Sequence, residues 1–76
     1  MYEYNISNQT DSVLFYKQCA ALEKAMPGMI KSELLEDVDG SLIQKYEYEG
    51  SKLKVLNDEA VGAIYINSEI DLKKFF

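Results

Sequence analysis

The chain contains no arginine, no histidine and no tryptophan, and all of its side-chain positive charge rests on eight lysines. Without histidine, the side chain that most readily moves protons near neutral pH is missing. Without arginine, the planar fork that reads guanine and clamps phosphate is missing as well. Thirteen acidic residues leave a net charge of −5. Nucleic-acid affinity comes largely from cations that displace counterions from phosphate, so this balance argues against a nucleic-acid partner. It favours an encounter with a basic protein.

Cysteine is equally scarce. Cys19 stands alone, which excludes an internal disulfide and any metal site built on several thiolates. It falls on the apolar side of a helical stretch, where a free cysteine behaves as a small hydrophobe. A nucleophilic thiol needs a neighbouring base, and the chain has no histidine to supply one. The four glycines are scattered over separate turns, so no phosphate-cradling loop exists. No apolar run approaches the ~20 residues of a membrane span. The stretch "MYEYNISNQTD" lacks the basic and apolar regions of a secretory leader, and a cytoplasmic location is the expectation. The triplets Asn5-Ile6-Ser7 and Asn8-Gln9-Thr10 match a glycosylation acceptor but are read as chance without a secretory context.

What remains is an ordinary globular composition: 47% apolar and 28% charged over 76 residues. That length makes one domain, residues 1–76, around one small core. Stability should then be about 4–11 kcal/mol from the usual range per residue.

Periodicity divides the chain. "MYEYNI" alternates as a strand does, with Tyr2, Tyr4 and Ile6 on one side and Glu3 and Asn5 on the other. "SNQTDS" is a cluster of capping residues from which a helix should start. Leu14, Phe15, Cys19, Leu22, Ala25 and Met26 then recur at helical spacing until Pro27-Gly28 ends the run. From Met29 to Asn67 strands alternate with turn signals.

With Val38-Asp39-Gly40 as a hairpin loop, Lys31 should face Glu47, Glu33 should face Lys45, and Leu35 should face Ile43. Ile30 then falls on the core side with Tyr46 and Tyr48. With Gly50-Ser51 as the next loop, Tyr48 should face Leu53, Tyr46 should face Val55, and Glu47 should face Lys54. The second "YEY", Tyr46-Glu47-Tyr48, therefore reads as two core-facing rings with a solvated glutamate between them. The first, Tyr2-Glu3-Tyr4, follows by analogy. A return at Asp58-Glu59 turns Gly62, Ile64 and Ile66 inward. Ser68-Glu69-Ile70-Asp71 approximates a capping box before a short C-terminal helix.

The expected fold is therefore α+β: a small β-α-β-β-β-β-α domain with a mainly antiparallel sheet. One long helix packs on one sheet face, and a short helix closes the chain. The first strand could lie parallel to the second or antiparallel beside the last. The outer sheet face should gather Leu35, Ile43, Leu56 and Val61. The tail, through Ile70, Leu72, Phe75 and Phe76, is the favoured cover for that patch, ahead of a second chain.

Chemistry is thinly signalled. Glu36-Asp37-Val38-Asp39-Gly40 is dense in acid, yet a calcium loop in this frame would need an acid at Leu35 and a bidentate glutamate at Tyr46. It reads as a solvated hairpin tip. No enzyme activity, cofactor, metal, membrane or nucleic-acid partner is expected. The expected role is protein–protein contact with a basic partner, of the inhibitor, immunity or antitoxin kind. Its contact groups are Glu33, Glu36, Asp37 and Asp39 at the first hairpin, Asp58 and Glu59 at another turn, and the apolar Leu35 and Ile43. The alternative is a homo-oligomeric structural or regulatory domain, a homodimer paired through the outer patch or an edge strand. A small-ligand binder, the weaker third idea, would need a pocket between helix and sheet lined by Tyr4 or Tyr46.

Overall fold

A computed structural model describes residues 1–75. Its elements are β1 (Tyr2–Ser7), α1 (Ser12–Ala25), β2 (Ile30–Lys31), β3 (Leu35–Glu36), β4 (Leu42–Tyr48), β5 (Ser51–Asp58), β6 (Ala63–Ser68) and a 3-10 turn at Lys73–Phe75. The strands form one antiparallel sheet in the order β1-β6-β5-β4-β2, with β3 also paired to β4. The fold is the expected small α+β domain, and β1 takes the place antiparallel to the last strand. No helix among the described residues is long and apolar enough to cross a membrane.

The helix starts where its caps dictate. The Asp11 carboxylate accepts the N–H groups of Val13 at 2.9 Å and Leu14 at 3.2 Å, satisfying donors that a helix start leaves unpaired. The buried face of α1 consists of Phe15, Cys19 and Leu22, continued by Met26 at its C-cap. They pack onto Leu42, Tyr46, Leu53, Val55, Ile64 and Ile66 from the sheet. The two periods, 3.6 along the helix and 2 along the strands, are what bring these residues together.

Three expectations are corrected, two of them by the strand registers. In the β4–β5 hairpin Tyr48 lies opposite Ser51, so the two-residue loop is Glu49-Gly50 and the register differs from the expected one by two residues. Tyr46 faces Leu53, Glu47 faces Lys52 and Lys45 faces Lys54. A shift of two keeps every side chain on its expected side of the pleat, and Tyr46 is indeed core, at 2% exposure. Both loop residues have positive φ, 49° at Glu49 and 83° at Gly50, the geometry of a primed turn matched to strand twist. A glutamate with its Cβ is strained there. Glu49→Asn is expected to raise stability by about 0.5–1 kcal/mol, read from the urea midpoint.

The second correction concerns the edge. β3 keeps the expected pair Leu35–Ile43, with Glu36 opposite Leu42, but in β2 Ile30 faces Glu47 and Lys31 faces Tyr46. One extra residue is accommodated between Ser32 and Leu35, and the bulge reverses the sides before it. Ile30 is therefore exposed on the outer face. Lys31 points to the helix side, where its ammonium lies 3.1 Å from Glu23, so neither the Lys31–Glu47 nor the Glu33–Lys45 pair forms. Buried Gln44 fills the bulge, its amide donating to the Ser32 carbonyl at 2.6 Å.

The third correction is the tail. Leu72 is buried in the helix-side core, and Ile70 and Phe75 pack against the same cluster. Tyr4 anchors this segment: its hydroxyl donates to Asp71 Oδ1 at 2.9 Å and accepts the Leu72 N–H at 2.8 Å. The tail therefore leaves the outer face uncovered. Phe76 lies outside the described residues. Where a C-terminal helix was expected there is a single 3-10 turn.

Candidate functional site: an acidic end and an open sheet face

Three chain segments converge at one end of the sheet. The loop after β3 is closed by the Asp37 N–H on the Ser41 carbonyl at 2.8 Å and by the Gly40 N–H on the Asp37 carbonyl at 3.0 Å. Its Ser41 hydroxyl accepts the Glu59 N–H at 2.9 Å, which ties it to the β5–β6 turn. The Glu59 carboxylate accepts the Thr10 hydroxyl at 2.9 Å, which ties both to the start of the helix. The Asp11 N–H adds a fourth link, donating to the buried Asn57 side chain at 3.1 Å. The two acidic tips are thus neighbours.

Several of these carboxylates shape the turns they sit in. Asp58 accepts the N–H groups of Ala60 and Val61 on one oxygen and the Tyr65 hydroxyl, at 2.8 Å, on the other. The Tyr65 phenol is pushed up to about 12 by that bond. Asp39 accepts the Ser41 N–H, which holds its carboxyl below the usual range. Asp37 accepts the Val38 N–H at 2.7 Å. Glu33 and Glu36, by contrast, engage no side-chain partner among the described residues. Between the acids stand two apolar side chains in water: Val38 at the tip of the first loop, fully exposed, and Val61 on the second, 69% exposed.

The outer face adjoins this end. The registers align Leu35, Ile43, Leu56 and Tyr65 as one cross-strand row over β3, β4, β5 and β6. Leu56 is only 8% exposed, while Leu35 at 43% is open to solvent. The next row, Lys45, Lys54, Asn67 and Glu3, is polar. Seven of the eight candidate residues lie toward this end: Glu36, Asp37, Asp39, Asp58 and Glu59 at or beside the tips, and Leu35 and Ile43 on the outer row; Glu33 lies on the bulged edge, between the Ser32–Lys45 and Leu35–Ile43 pairings. Sequence reasoning missed exposed Val38, whose signal was an apolar residue in the middle of the turn, and it expected Val61 on the outer sheet face, whereas Val61 lies in the β5–β6 turn. It also missed the Lys45–Lys54 juxtaposition.

Other chemistry finds less support. The Cys19 thiol is buried, and burial pushes its pKa up, which disfavours the nucleophilic form. No group of three metal-ligating side chains occurs among the described residues. A groove of about 450 Å³ does run between α1 and the sheet, lined by Tyr4, Ile6, Gln18, Ala21, Ile66, Leu72 and Lys73. It is the Tyr4-lined pocket between helix and sheet that a small-ligand binder would need, and Gln18 and Lys73 are its other polar lining residues.

No family model, curated protein or solved structure matches the chain.

Proposed function

We propose that the domain is a small acidic binding protein of the cytoplasm, of the inhibitor, immunity or antitoxin kind, which acts by contacting another protein through its acidic end. The carrying observation is the Ser41–Glu59 bond, which gathers two acidic turns around Val38 and Val61. Exposed valines give a partner apolar area to cover, roughly 1.5 kcal/mol for each side chain fully withdrawn from water. The surrounding carboxylates select a partner whose matching socket is rimmed by lysine or arginine, and they steer its approach.

The test begins with capture of a partner by the immobilised protein, followed by association kinetics at several ionic strengths. The association rate should fall on the order of tenfold between low and high salt. The Glu33→Lys/Glu36→Lys double variant, altered where no internal bond is lost, should lower it similarly and leave the unfolding midpoint unchanged. A rate indifferent to both salt and charge reversal rejects the electrostatic reading. The second reading, a homo-oligomeric structural or regulatory domain, draws on the uncovered outer row and the free edge of β1. Light scattering decides it: a particle twice the 8.7 kDa chain mass, dissociated by Ile43→Glu, would replace the first reading.

A further inference from the structure

The helix leaves part of the sheet uncovered on its own side. α1 lies over β5, and on the flank toward β6 and β1 it presents Gln18 and Ala21. Ala21, whose side chain is one methyl group, leaves open there the groove of about 450 Å³, a volume within the range of small-molecule sites. Ile66 and Leu72, each 2% exposed, form its floor, and half-buried Tyr4 and Ile6 form the wall on β1. The polar groups stand at its edges. The Tyr4 hydroxyl is engaged by Asp71 and by the Leu72 N–H. The Gln18 amide takes part in no hydrogen bond among the described residues, and no carboxylate of those residues lies within 4.0 Å of the Lys73 ammonium. Asp71, beside it in the chain, is committed to the Tyr4 hydroxyl and the Lys73 N–H. Both Lys73 and Lys74 bear on that one carboxylate, which leaves a positive charge in excess. Two recesses of similar size, about 420 and 430 Å³, are lined by Glu47 and Glu69 and by Glu3 respectively. Among the described residues no carboxylate lines this one.

We propose that this groove binds a small amphipathic carboxylate, such as a fatty acid, with its apolar body on Ile6, Ala21, Ile66 and Leu72 and its carboxylate on Lys73. The apolar lining supplies the driving force, because the ligand's hydrocarbon and the groove wall leave water together. The head group's place follows from the tail: the Leu72 N–H meets the Tyr4 hydroxyl, so Lys73 stands at the Tyr4 end. Ile6 lies two residues further along β1, toward the start of the helix, and gives the hydrocarbon its direction. Gln18, one turn before Ala21, is placed to meet a second polar atom of the ligand. Charge decides the class. One ammonium matches the single charge of a carboxylate, whereas a phosphate ester calls for several charged donors or an arginine fork. A cationic amphiphile would meet Lys73 with no lining carboxylate to offset it. The inference goes beyond the acidic-end reading and uses other residues, so either can fail alone.

The experiment titrates octanoate, octylamine and acetate, each below the concentration at which it aggregates, onto the isotopically labelled full chain. Octanoate should shift the amides of Ile6, Ala21, Ile66 and Leu72 to saturation and raise the unfolding midpoint. Octylamine, with the same hydrocarbon and the opposite charge, should bind about tenfold more weakly, and acetate should leave these amides in place. Lys73→Glu should weaken octanoate by about tenfold, because attraction becomes repulsion. Ala21→Leu fills the groove from an exposed helix position and should abolish saturation. Neither substitution touches a buried side chain, so both should keep the parent's urea midpoint in plain buffer. The proposal is overturned if octanoate and octylamine bind alike, if the shifts fall outside the groove, or if acetate alone reproduces them. It is equally overturned if Lys73→Glu or Ala21→Leu binds octanoate as the parent does, or if sedimentation shows a dimer of the free chain that Ala21→Leu dissociates. The Glu33→Lys/Glu36→Lys variant should bind octanoate unchanged, which keeps this result separate from that at the acidic end.

Discussion

Phe15→Ala is expected to remove most of the stability of this domain and leave a large unfolded population in plain buffer. Phe15 has no exposed surface and lies at the centre of the contact between α1 and the sheet. Truncating such a ring withdraws buried area and leaves a cavity, at a cost of about 3–5 kcal/mol. The whole 76-residue chain holds only about 4–11 kcal/mol. Neighbours cannot readily close the gap, because Leu22, Met26, Val55 and Ile64 are themselves fully packed. Nor does the helix persist alone, since 14 residues is close to the length at which isolated helices are marginal in water. Loss of docking should therefore appear as loss of helix, seen together in far-ultraviolet circular dichroism and in collapse of amide shift dispersion. Val13→Ala, on the exposed side of the same helix turn, should stay within about 0.5 kcal/mol of the parent. A Phe15→Ala protein that kept its urea midpoint would mean that α1 does not dock as described.

How far the sequence could be read depended on which errors preserve the pleat. Tyr46 and Tyr48 were placed on the correct side although their partners were misassigned, because moving the loop from Gly50-Ser51 to Glu49-Gly50 shifts the register by two. Charge gave no warning of the shift, since Glu47 meets a lysine in either frame, Lys54 or Lys52. The bulge after Ser32 is a one-residue change, and it turned Lys31 and Ile30 to the opposite sides. Its trace in the sequence is Gln44, an amide at a core-facing position that needs a partner inside the protein. The position of β1 is decided by contacts far apart in the chain, above all Tyr4 with Asp71 and Leu72. Local periodicity carries no information about such a pairing. The same holds for the site. Each acidic tip was legible as a turn, but their adjacency depends on the Ser41–Glu59 bond across 18 residues. The lysine pair was hidden for a related reason: the expected registers set Lys31, Lys45 and Lys54 each opposite a glutamate.

At Tyr46 two substitutions should separate packing from polarity. Tyr46→Ala removes a ring from the core and should cost about 3–5 kcal/mol, close to the effect at Phe15. Tyr46→Phe keeps the ring and deletes one bond, the hydroxyl donating to Glu23 Oε2 at 2.6 Å. A hydrogen bond to a charged group contributes about 1.5–3 kcal/mol. The lower end applies here, because the Glu23 side chain is 37% exposed and can be rehydrated. The Tyr46 hydroxyl first, and then Lys31, hold the Glu23 carboxyl below its ordinary value of 4.5. A depressed carboxyl contributes stability that is present above the ordinary value and is lost as pH falls through the lowered one. Burial first, and the Glu23 bond next, push the Tyr46 phenol well above its ordinary 10.0. That contribution is intact below pH 10.0 and declines as pH rises beyond it, because the unfolded chain then ionises first. The gap in stability between the parent and Tyr46→Phe should therefore be widest near neutrality and narrow toward both extremes, in urea melts across the pH range. A gap that stays constant from acid to alkali would show that Glu23 and Tyr46 do not share the proton-sensitive bond by which the end of α1 is fastened to β4.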